Sequence, residues 1–249
     1  MALAKRRFPL PDSQTIPGQT VAVHGEGHNP ALLHHFAEQQ QQRDAASLGM
    51  WIFLATEVMF FGGLFCAYLI YRLKYFAEFS AASKTLALSL GATNTAVLIC
   101  SSLTVVLAVY AAQHAKRSML LGNLILTIIL GFVFLGIKAV EYNEKFEKHH
   151  VPGPSFQFNE VNIPGHPGQY ANPSHAQIFF ALYFVMTGLH ALHMIIGIGI
   201  FVWLLTAAWK GRFTPQYNTP VEIGGLYWHF VDIIWIYLFP LLYLIDRHP

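Results

Sequence analysis

Five apolar stretches of the chain are each long enough to cross a lipid bilayer. They cover about residues 47–71, 86–112, 119–140, 177–208 and 226–246, and a hydrocarbon core of about 30 Å takes about 20 helical residues. Because lipid offers no hydrogen bonds, a stretch in that core has to satisfy its own backbone as a helix. The sequence therefore predicts an all-α fold, a polytopic membrane helix bundle with about five transmembrane helices.

Composition also indicates a membrane rather than an aqueous environment. The chain is 54% hydrophobic and 11% charged, whereas soluble domains carry about 25% charged residues. A formal net charge of +2 argues against nucleic acid as a partner. Cys66 and Cys100 lie inside apolar stretches without CxxC spacing, so we interpret them as packing residues rather than as disulfide or metal ligands.

The remaining segments set the predicted domain organisation. We predict a polar N-terminal extension over residues 1–46, a five-helix membrane domain over 47–249 and an extramembrane loop over 142–176, which contains five prolines. So proline-rich a segment cannot form a continuous helix. No cleavable signal peptide is recognisable in the extension, so the first apolar helix is expected to direct insertion.

Glu57 is an ionisable residue near the middle of the first apolar stretch. A charge at the centre of a membrane helix is costly, which makes such a residue a candidate for function. Gly62 and Gly63 follow it and allow a neighbouring backbone or a lipid to approach closely. Two interpretations stay open: a proton-exchanging or lipid-gating carboxyl, and an interhelical hydrogen bond that only holds the bundle together.

Two pairs of polar residues lie three positions apart in the last two apolar stretches. They are His190 with His193, and His229 with Asp232. A carboxylate-bridged di-iron site needs Glu-x-x-His pairs on two helices and further carboxylates on two others, so a metal site is not predicted. A haem could be ligated by one histidine from each of two helices, but the sequence contains no CxxCH motif and no second clean pair to support it. The usual role of such histidines is a hydrogen bond between helices, and we predict a polar helix interface.

Lys138 and Glu141 end the third apolar stretch, three positions apart. A lysine near a helix end can extend its side chain to the membrane surface and pair there. We therefore predict an interfacial anchor that is also a candidate contact for lipid headgroups.

Four sequence blocks then suggest a family. They read LGMWIFLATEVMFFGGLFCAYL at 48–69, GIKAVEYNEKF at 136–146, TGLHALHMIIGI at 187–198 and EIGGLYWHFVDIIWIYLFPLLYL at 222–244. Together they resemble subunit III of haem-copper cytochrome c oxidases. That family usually has seven helices, and this chain corresponds to the last five, a form that also occurs in the related quinol oxidases.

The resemblance implies a role inside a larger enzyme. Such a subunit has no catalytic residues, haem, copper or other metal of its own, packs against subunit I beside subunit II, holds structural phospholipids and supports proton uptake during oxygen reduction. The stretch around Glu57 is similar to the branch that uses cytochrome c, because the quinol branch tends to carry aspartate there. The expected location is a bacterial cytoplasmic membrane, with the N-terminus cytoplasmic and the C-terminus periplasmic. Whether the complex joins a respiratory supercomplex stays open.

The resemblance also assigns individual positions. Glu57 matches the family's reactive buried carboxyl, and Ala207 stands where the family has an arginine similar to a lipid-phosphate contact. Lys210 and Arg212 lie nearby as substitutes. The other matching positions are the histidine pair, the start of the last helix and the acidic residue before it: His190, His193, Tyr227, Trp228, His229, Asp232 and Glu222.

Other functions remain to be weighed against this one. Within the family they are subunit III of a quinol oxidase and the related protein of a nitric-oxide-reductase-type complex. Outside it they are a stand-alone metal- or haem-binding membrane enzyme and a small-solute transporter. A transporter is expected to show an inverted repeat and broken central helices, and the sequence has neither.

Overall fold

The computed structural model describes residues 39–154, 156–158, 161–163, 166–215 and 217–244. Most of the predicted polar extension and the last two residues of the fifth apolar stretch lie outside these ranges. Within them the chain forms six α-helices and a π-helical turn: α1 Gln39–Lys74, α2 Phe76–Lys84, α3 Leu88–Gln113, α4 Arg117–Glu147, α5 Pro173–Trp209, α6 Thr219–Phe239 and the π turn Pro240–Leu244.

The membrane helix bundle is confirmed, since five of the described helices are long and apolar enough to cross a membrane. Several helix ends differ from the predicted ones. α1 begins at Gln39, so residues 39–46 belong to a helix rather than to the extension, and α4 continues to Glu147. Apolar composition marks the part of a helix that contacts lipid, whereas Gln, Glu and Lys are good helix formers that extend it into water.

The predicted loop is correspondingly shorter, because α5 begins at Pro173. Asn172 caps that helix by accepting a hydrogen bond from the Ser174 backbone N–H at 3.0 Å, and proline suits the first helical position. Between α4 and α5 the chain forms a small antiparallel hairpin, β1 Val161–Ile163 with β2 His166–Tyr170. α2, a short helix after α1, was not predicted.

Helices α3 to α6 form the core of the molecule. α3 packs on α4, α4 on α5, α5 on α6, and α6 back on α3, while α1 lies outside against α5 and α6. We call α3 to α6 the four-helix core. Most large apolar side chains of α1 remain exposed, among them Trp51, Met59 and Leu73 at 60%, 77% and 82%, as expected for a helix that meets lipid or a partner subunit.

Trp228 of α6 ties the four-helix core together. Its indole N–H donates to the Ser101 hydroxyl on α3 at 3.0 Å. A Cβ atom at Gly131 of α4 or at Gly197 of α5 would lie only 3.0 or 3.1 Å from the Trp228 ring. Glycine at these two positions therefore lets the tryptophan fit between neighbouring helices.

The π turn at the end of the described chain follows from Pro240, which has no N–H to continue the α-helical pattern. Two side chains from elsewhere bind the turn's carbonyls. The Tyr68 hydroxyl donates to Leu241 at 3.0 Å, and the Ser83 hydroxyl donates to Leu242 at 2.7 Å. The turn places Tyr243 in the interior of the protein, where it is fully buried.

Candidate functional site

Glu57 of α1 pairs with His193 of α5. The Glu57 carboxylate oxygen Oε2 lies 3.3 Å from His193 Nε2, and the two side chains are 21% and 14% exposed. His193 Nδ1 lies 2.8 Å from the Leu189 carbonyl. A carbonyl only accepts hydrogen bonds, so Nδ1 carries a proton, and a hydrogen bond between Nε2 and Glu57 needs one further proton shared by the pair. The pair is therefore suited to holding one exchangeable proton at partial exposure.

Two apolar grooves flank α1. The first, of about 740 Å³, lies between α1, α5 and α6 and is lined by Met50, Trp203, Tyr217 and Tyr227 among others. The second, of about 470 Å³, lies between α1 and α6 and includes Val58, the neighbour of Glu57 in the chain. The Tyr227 hydroxyl donates to the His193 carbonyl at 3.0 Å. Tyr227 thus links the lining of the first groove to the backbone of the residue that pairs with Glu57.

His190 does not join His193. It is 1% exposed inside the four-helix core, where neither ring nitrogen has a hydrogen-bond partner among the described residues. Its ring packs against Phe134 at 5.4 Å and Trp235 at 5.2 Å between centroids. Two residues three positions apart differ by about 60° around a helix, which is enough here to turn one histidine inward and the other toward α1.

His229 and Asp232 lie along the contact between α6 and α3. His229 Nδ1 and the Ser102 hydroxyl are hydrogen-bonded at 2.8 Å. Asp232 is 4% exposed; its carboxyl lies near Ser102 but makes no well-formed hydrogen bond among the described residues. The structure therefore places Tyr227, Trp228 and His229 at helix interfaces, each hydrogen-bonded to another helix.

Lys138 and Glu141 are not an interfacial anchor, which corrects the sequence-based prediction. The lysine is 3% exposed and the glutamate 0% exposed, and they form an ion pair at 2.9 Å. Tyr183 and Tyr243 surround it, so we call these four residues the buried ion-pair network. A lysine in the last third of a helix can point into the protein as readily as toward the membrane surface. The tyrosines that bind it inside the protein come from α5 and the π turn, far along the chain, so the local sequence does not reveal the direction.

The buried ion-pair network is closed. The ammonium of Lys138 donates to Glu141 Oε2 and, at 3.2 Å each, to the hydroxyls of Tyr183 and Tyr243. Both tyrosine hydroxyls in turn donate to Glu141 Oε1. The Lys138 nitrogen also lies 5.2 Å from the Trp235 ring centroid, within cation–π range. Burying a charge is costly unless it is paired and hydrogen-bonded, and every ammonium proton here has an acceptor.

The remaining predicted residues lie at the end of the bundle where α5 meets α6. Lys210 and Arg212 are exposed in the turn between these helices, and Ala207 is buried at 5%. Glu222 accepts a hydrogen bond from the Gln113 side chain at 2.8 Å. In the described ranges no group of three or more His, Cys, Asp or Glu residues is placed to hold a metal ion.

Comparison with known proteins gives a consistent family. A family model described as "Cytochrome c oxidase subunit III" matches residues 33–149 and 170–246. A "Probable cytochrome c oxidase subunit 3" of Nocardia farcinica is 32% identical over 199 residues, which cover 80% of this chain and 87% of the relative. The "Cytochrome c oxidase subunit 3" of Gallus gallus is 31% identical over 78% of this chain and 67% of the relative.

One similar protein carries a different name. A "Probable quinol oxidase subunit 3" of Staphylococcus haemolyticus is 31% identical over 201 residues, which cover 80% of this chain and 88% of the relative. Overall identity therefore does not separate the two kinds of oxidase.

Proposed function

This chain belongs to the cytochrome c oxidase subunit III family, a subunit of haem-copper oxidases, and we propose that it serves such an oxidase as a lipid-holding subunit without a redox centre. It packs against subunit I in a complex that also contains subunit II, and it supports proton uptake during oxygen reduction by a proton-pumping cytochrome c oxidase. The observation that carries the proposal is the pair of apolar grooves along α1, a helix that also carries the partly exposed Glu57 paired with His193.

The grooves suit phospholipid acyl chains. Their linings are apolar and include Gly199 and Gly224 in the first groove and Gly62 in the second, and small residues let an acyl chain lie close to the helix backbone. Tyr217, which lines the first groove, belongs to the same interhelical turn as the exposed Lys210 and Arg212. These cations are positioned for a lipid phosphate whose acyl chain enters that groove.

The experiment that tests lipid binding removes the two cations. Lys210→Gln/Arg212→Gln is expected to lower the number of phospholipids that co-purify with the complex, measured by native mass spectrometry. The matched control, Lys74→Gln/Lys148→Gln, removes two exposed cations from the opposite end of the bundle. Equal lipid content in the two double variants and the wild type would refute the lipid-phosphate role.

Glu57 is proposed as the proton-exchanging or lipid-gating carboxyl of the subunit. Its carboxylate lies 3.3 Å from His193 Nε2, a distance that suits one proton between the two side chains, and its partial exposure leaves the carboxyl accessible. Supporting proton uptake means that loss of the subunit accelerates inactivation during turnover more than it lowers the initial rate. A complex stripped of this chain that keeps a normal turnover lifetime would overturn the proposal.

Cytochrome c is the proposed electron donor, with quinol as the second candidate. The glutamate at position 57 favours cytochrome c, and the similarity to the Staphylococcus haemolyticus protein favours quinol. The purified complex should be assayed with reduced cytochrome c and with a quinol, and its co-purifying subunits identified. Oxidation of quinol alone would select the second candidate, and a nitric-oxide-reducing partner would select the related complex.

The location of the chain, its wider assembly and its ability to bind metal or haem can each be tested. We place the chain in a bacterial cytoplasmic membrane with its N-terminus cytoplasmic and its C-terminus periplasmic, which reporter fusions at the two ends test directly. Supercomplex membership is tested by the respiratory proteins that co-purify under gentle extraction. Metal or haem analysis of the purified chain tests the rival function, a stand-alone metal- or haem-binding enzyme.

A further inference from the structure

Two polar side chains in the four-helix core have no hydrogen-bond partner among the described residues. Asn94 of α3 is 0% exposed and both atoms of its amide group are unpaired, and His190 of α5 is 1% exposed with both ring nitrogens unpaired. Leaving a buried polar atom unpaired costs free energy each time. Four such atoms together cost an amount of the same order as the whole stability of a typical domain, so these side chains need partners.

The His190 side chain packs in a layer of the core around Trp235 of α6, and Asn94 precedes a residue of α3 that bonds to the same tryptophan. The His190 ring lies 5.2 Å from the Trp235 ring. The Trp235 indole N–H donates to the hydroxyl of Thr95, the residue after Asn94, at 3.1 Å. Phe134 of α4 packs edge-on against both His190 and Trp235, at 5.4 and 4.9 Å. The layer therefore draws one side chain or more from each of the four core helices.

The polar groups that surround this layer are already engaged. All three protons of the Lys138 ammonium are donated within the buried ion-pair network, and both carboxylate oxygens of Glu141 accept from it. The Thr95 hydroxyl accepts from Trp235 and donates to the Gly91 carbonyl at 2.9 Å. None of these groups has a proton left to donate to Asn94 or His190. Glu141 Oε2 accepts only from Lys138 and keeps a free lone pair, but no atom of Asn94 or His190 is hydrogen-bonded to it.

We infer that the core binds ordered water in this layer, bridging Asn94 and His190. Water both donates and accepts, as a neutral imidazole and a side-chain amide together require. Buried waters typically make about three hydrogen bonds to otherwise unpaired groups, at a frequency of about one per 27 residues. The inference does not depend on the proposed function, since it rests on burial and hydrogen-bond accounting alone.

The direct test is a high-resolution cryo-EM map of the complete oxidase complex that contains this chain. The expected result is a water peak at about 2.7–3.2 Å from a ring nitrogen of His190 and from an amide atom of Asn94. A map that resolves other internal waters of this subunit but shows none between these two residues would overturn the inference.

A double-mutant cycle tests the same bridge energetically in the intact complex. Asn94→Leu and His190→Phe are each expected to speed thermal loss of the chain from the complex about tenfold, and the double variant no more than the worse single one, because the bridge is lost only once. Asn123→Leu is the matched control, since the Asn123 amide donates to its own helix at Met119, 2.8 Å away. Its effect should multiply with that of His190→Phe.

The cycle also has an opposing outcome. If the layer is dry, replacing an unpaired polar group by an apolar one stabilises the core or leaves it unchanged. Single variants that lengthen the lifetime of the complex, or whose effects simply multiply, would therefore contradict the water bridge. Should a variant fail to assemble, the cryo-EM measurement on the wild type decides alone.

Discussion

Removing one charge of the buried ion-pair network should destabilise the subunit far more than removing an exposed charge just after the end of the same helix. At the observed 2.9 Å, the attraction between Lys138 and Glu141 is about 6 kcal/mol for an effective dielectric constant of about 20. Truncating one partner of a buried pair typically costs about 3–5 kcal/mol. Because the hydroxyls of Tyr183 and Tyr243 still solvate the remaining charge, we expect about 3 kcal/mol for Lys138→Met.

The half-life of the chain in the purified complex, followed in detergent at a fixed elevated temperature, measures this loss. If the destabilisation appears mainly in the unfolding rate, about 3 kcal/mol shortens the half-life about 100-fold, since each 1.4 kcal/mol is about tenfold. Lys148→Met is the matched control, because Lys148 pairs with Glu144 at 2.6 Å with side chains 53% and 37% exposed. Exposed pairs contribute at most about 1 kcal/mol.

The double variant Lys138→Met/Glu141→Leu separates a charge effect from a packing effect. It removes both charges, and the hydroxyls of Tyr183 and Tyr243, which both bond Glu141 Oε1 and lie close to each other, can then pair with each other. The double variant should therefore be more stable than either single variant. Additive losses, or a Lys138→Met variant no worse than Lys148→Met, would refute the argument that the interior ion pair stabilises the fold.

Three further predictions follow from local geometry. A Cβ at Gly224 would lie 2.8 Å from a side-chain carbon of Leu204, so Gly224→Ala should lower the stability of the subunit by about 1–3 kcal/mol. Gly199→Ala is the control, because a Cβ there has no atom within 4 Å and should change the stability little. The rate of thermal release of the chain from the complex measures both effects. Glu57→Gln keeps a hydrogen-bonding group but removes the titratable carboxyl, so we expect the stability to change by less than about 1 kcal/mol. The initial turnover rate should be unchanged, and the complex should inactivate earlier during turnover. A turnover lifetime equal to that of the wild type would contradict this. Burial, followed by the ammonium groups of Lys145 and Lys148, lowers the pKa of His150 to about 4. Between pH 4 and the unfolded pKa of about 6.5, the unfolded segment therefore binds more protons than the folded one. The stabilisation of the loop by the neutral His150 is complete above pH 6.5 and falls by about 1 kcal/mol by pH 5, allowing for solvent screening. Hydrogen exchange of residues 148–158 should show this loss, His150→Phe should abolish it, and His149→Asn should not.

The number and approximate place of the membrane helices could be predicted because lipid imposes a length and an apolar composition on any helix that crosses it. Their ends could not, because the polar turns at Gln39 and Glu147 continue a helix where lipid no longer selects its residues. The short helix α2 was missed for the same reason: it is too short to carry a membrane signal. Pro240 marks a position where a regular α-helix cannot continue, but the π turn that forms there depends on contacts from α1 and α2.

The polar residues show where sequence reasoning stops. Glu57 and His193 were both candidates, yet their pairing joins residues on α1 and α5 that nothing in the local sequence relates. His190 and His193 share a spacing that predicts a common face, and the structure separates them because packing distinguishes positions about 60° apart. Lys138 and Glu141 have a spacing equally suited to a surface pair or a buried one. Only tertiary packing, which supplies Tyr183 and Tyr243, selects the buried arrangement.

The polar groups within the membrane helices fall into two sets with different chemical capacities. In the buried ion-pair network every proton of Lys138 and both oxygens of Glu141 are engaged, so a proton leaving or entering has to break several buried hydrogen bonds at once. The pairing of Glu57 with His193 is open by comparison, because it joins only two side chains and these remain 21% and 14% exposed. A subunit that supports proton uptake needs a group whose proton exchanges easily, and a subunit that survives many turnovers needs a core that resists it. The proposed role in proton uptake therefore suits the partly exposed pair at α1, whereas the buried ion-pair network suits a structural role in the four-helix core.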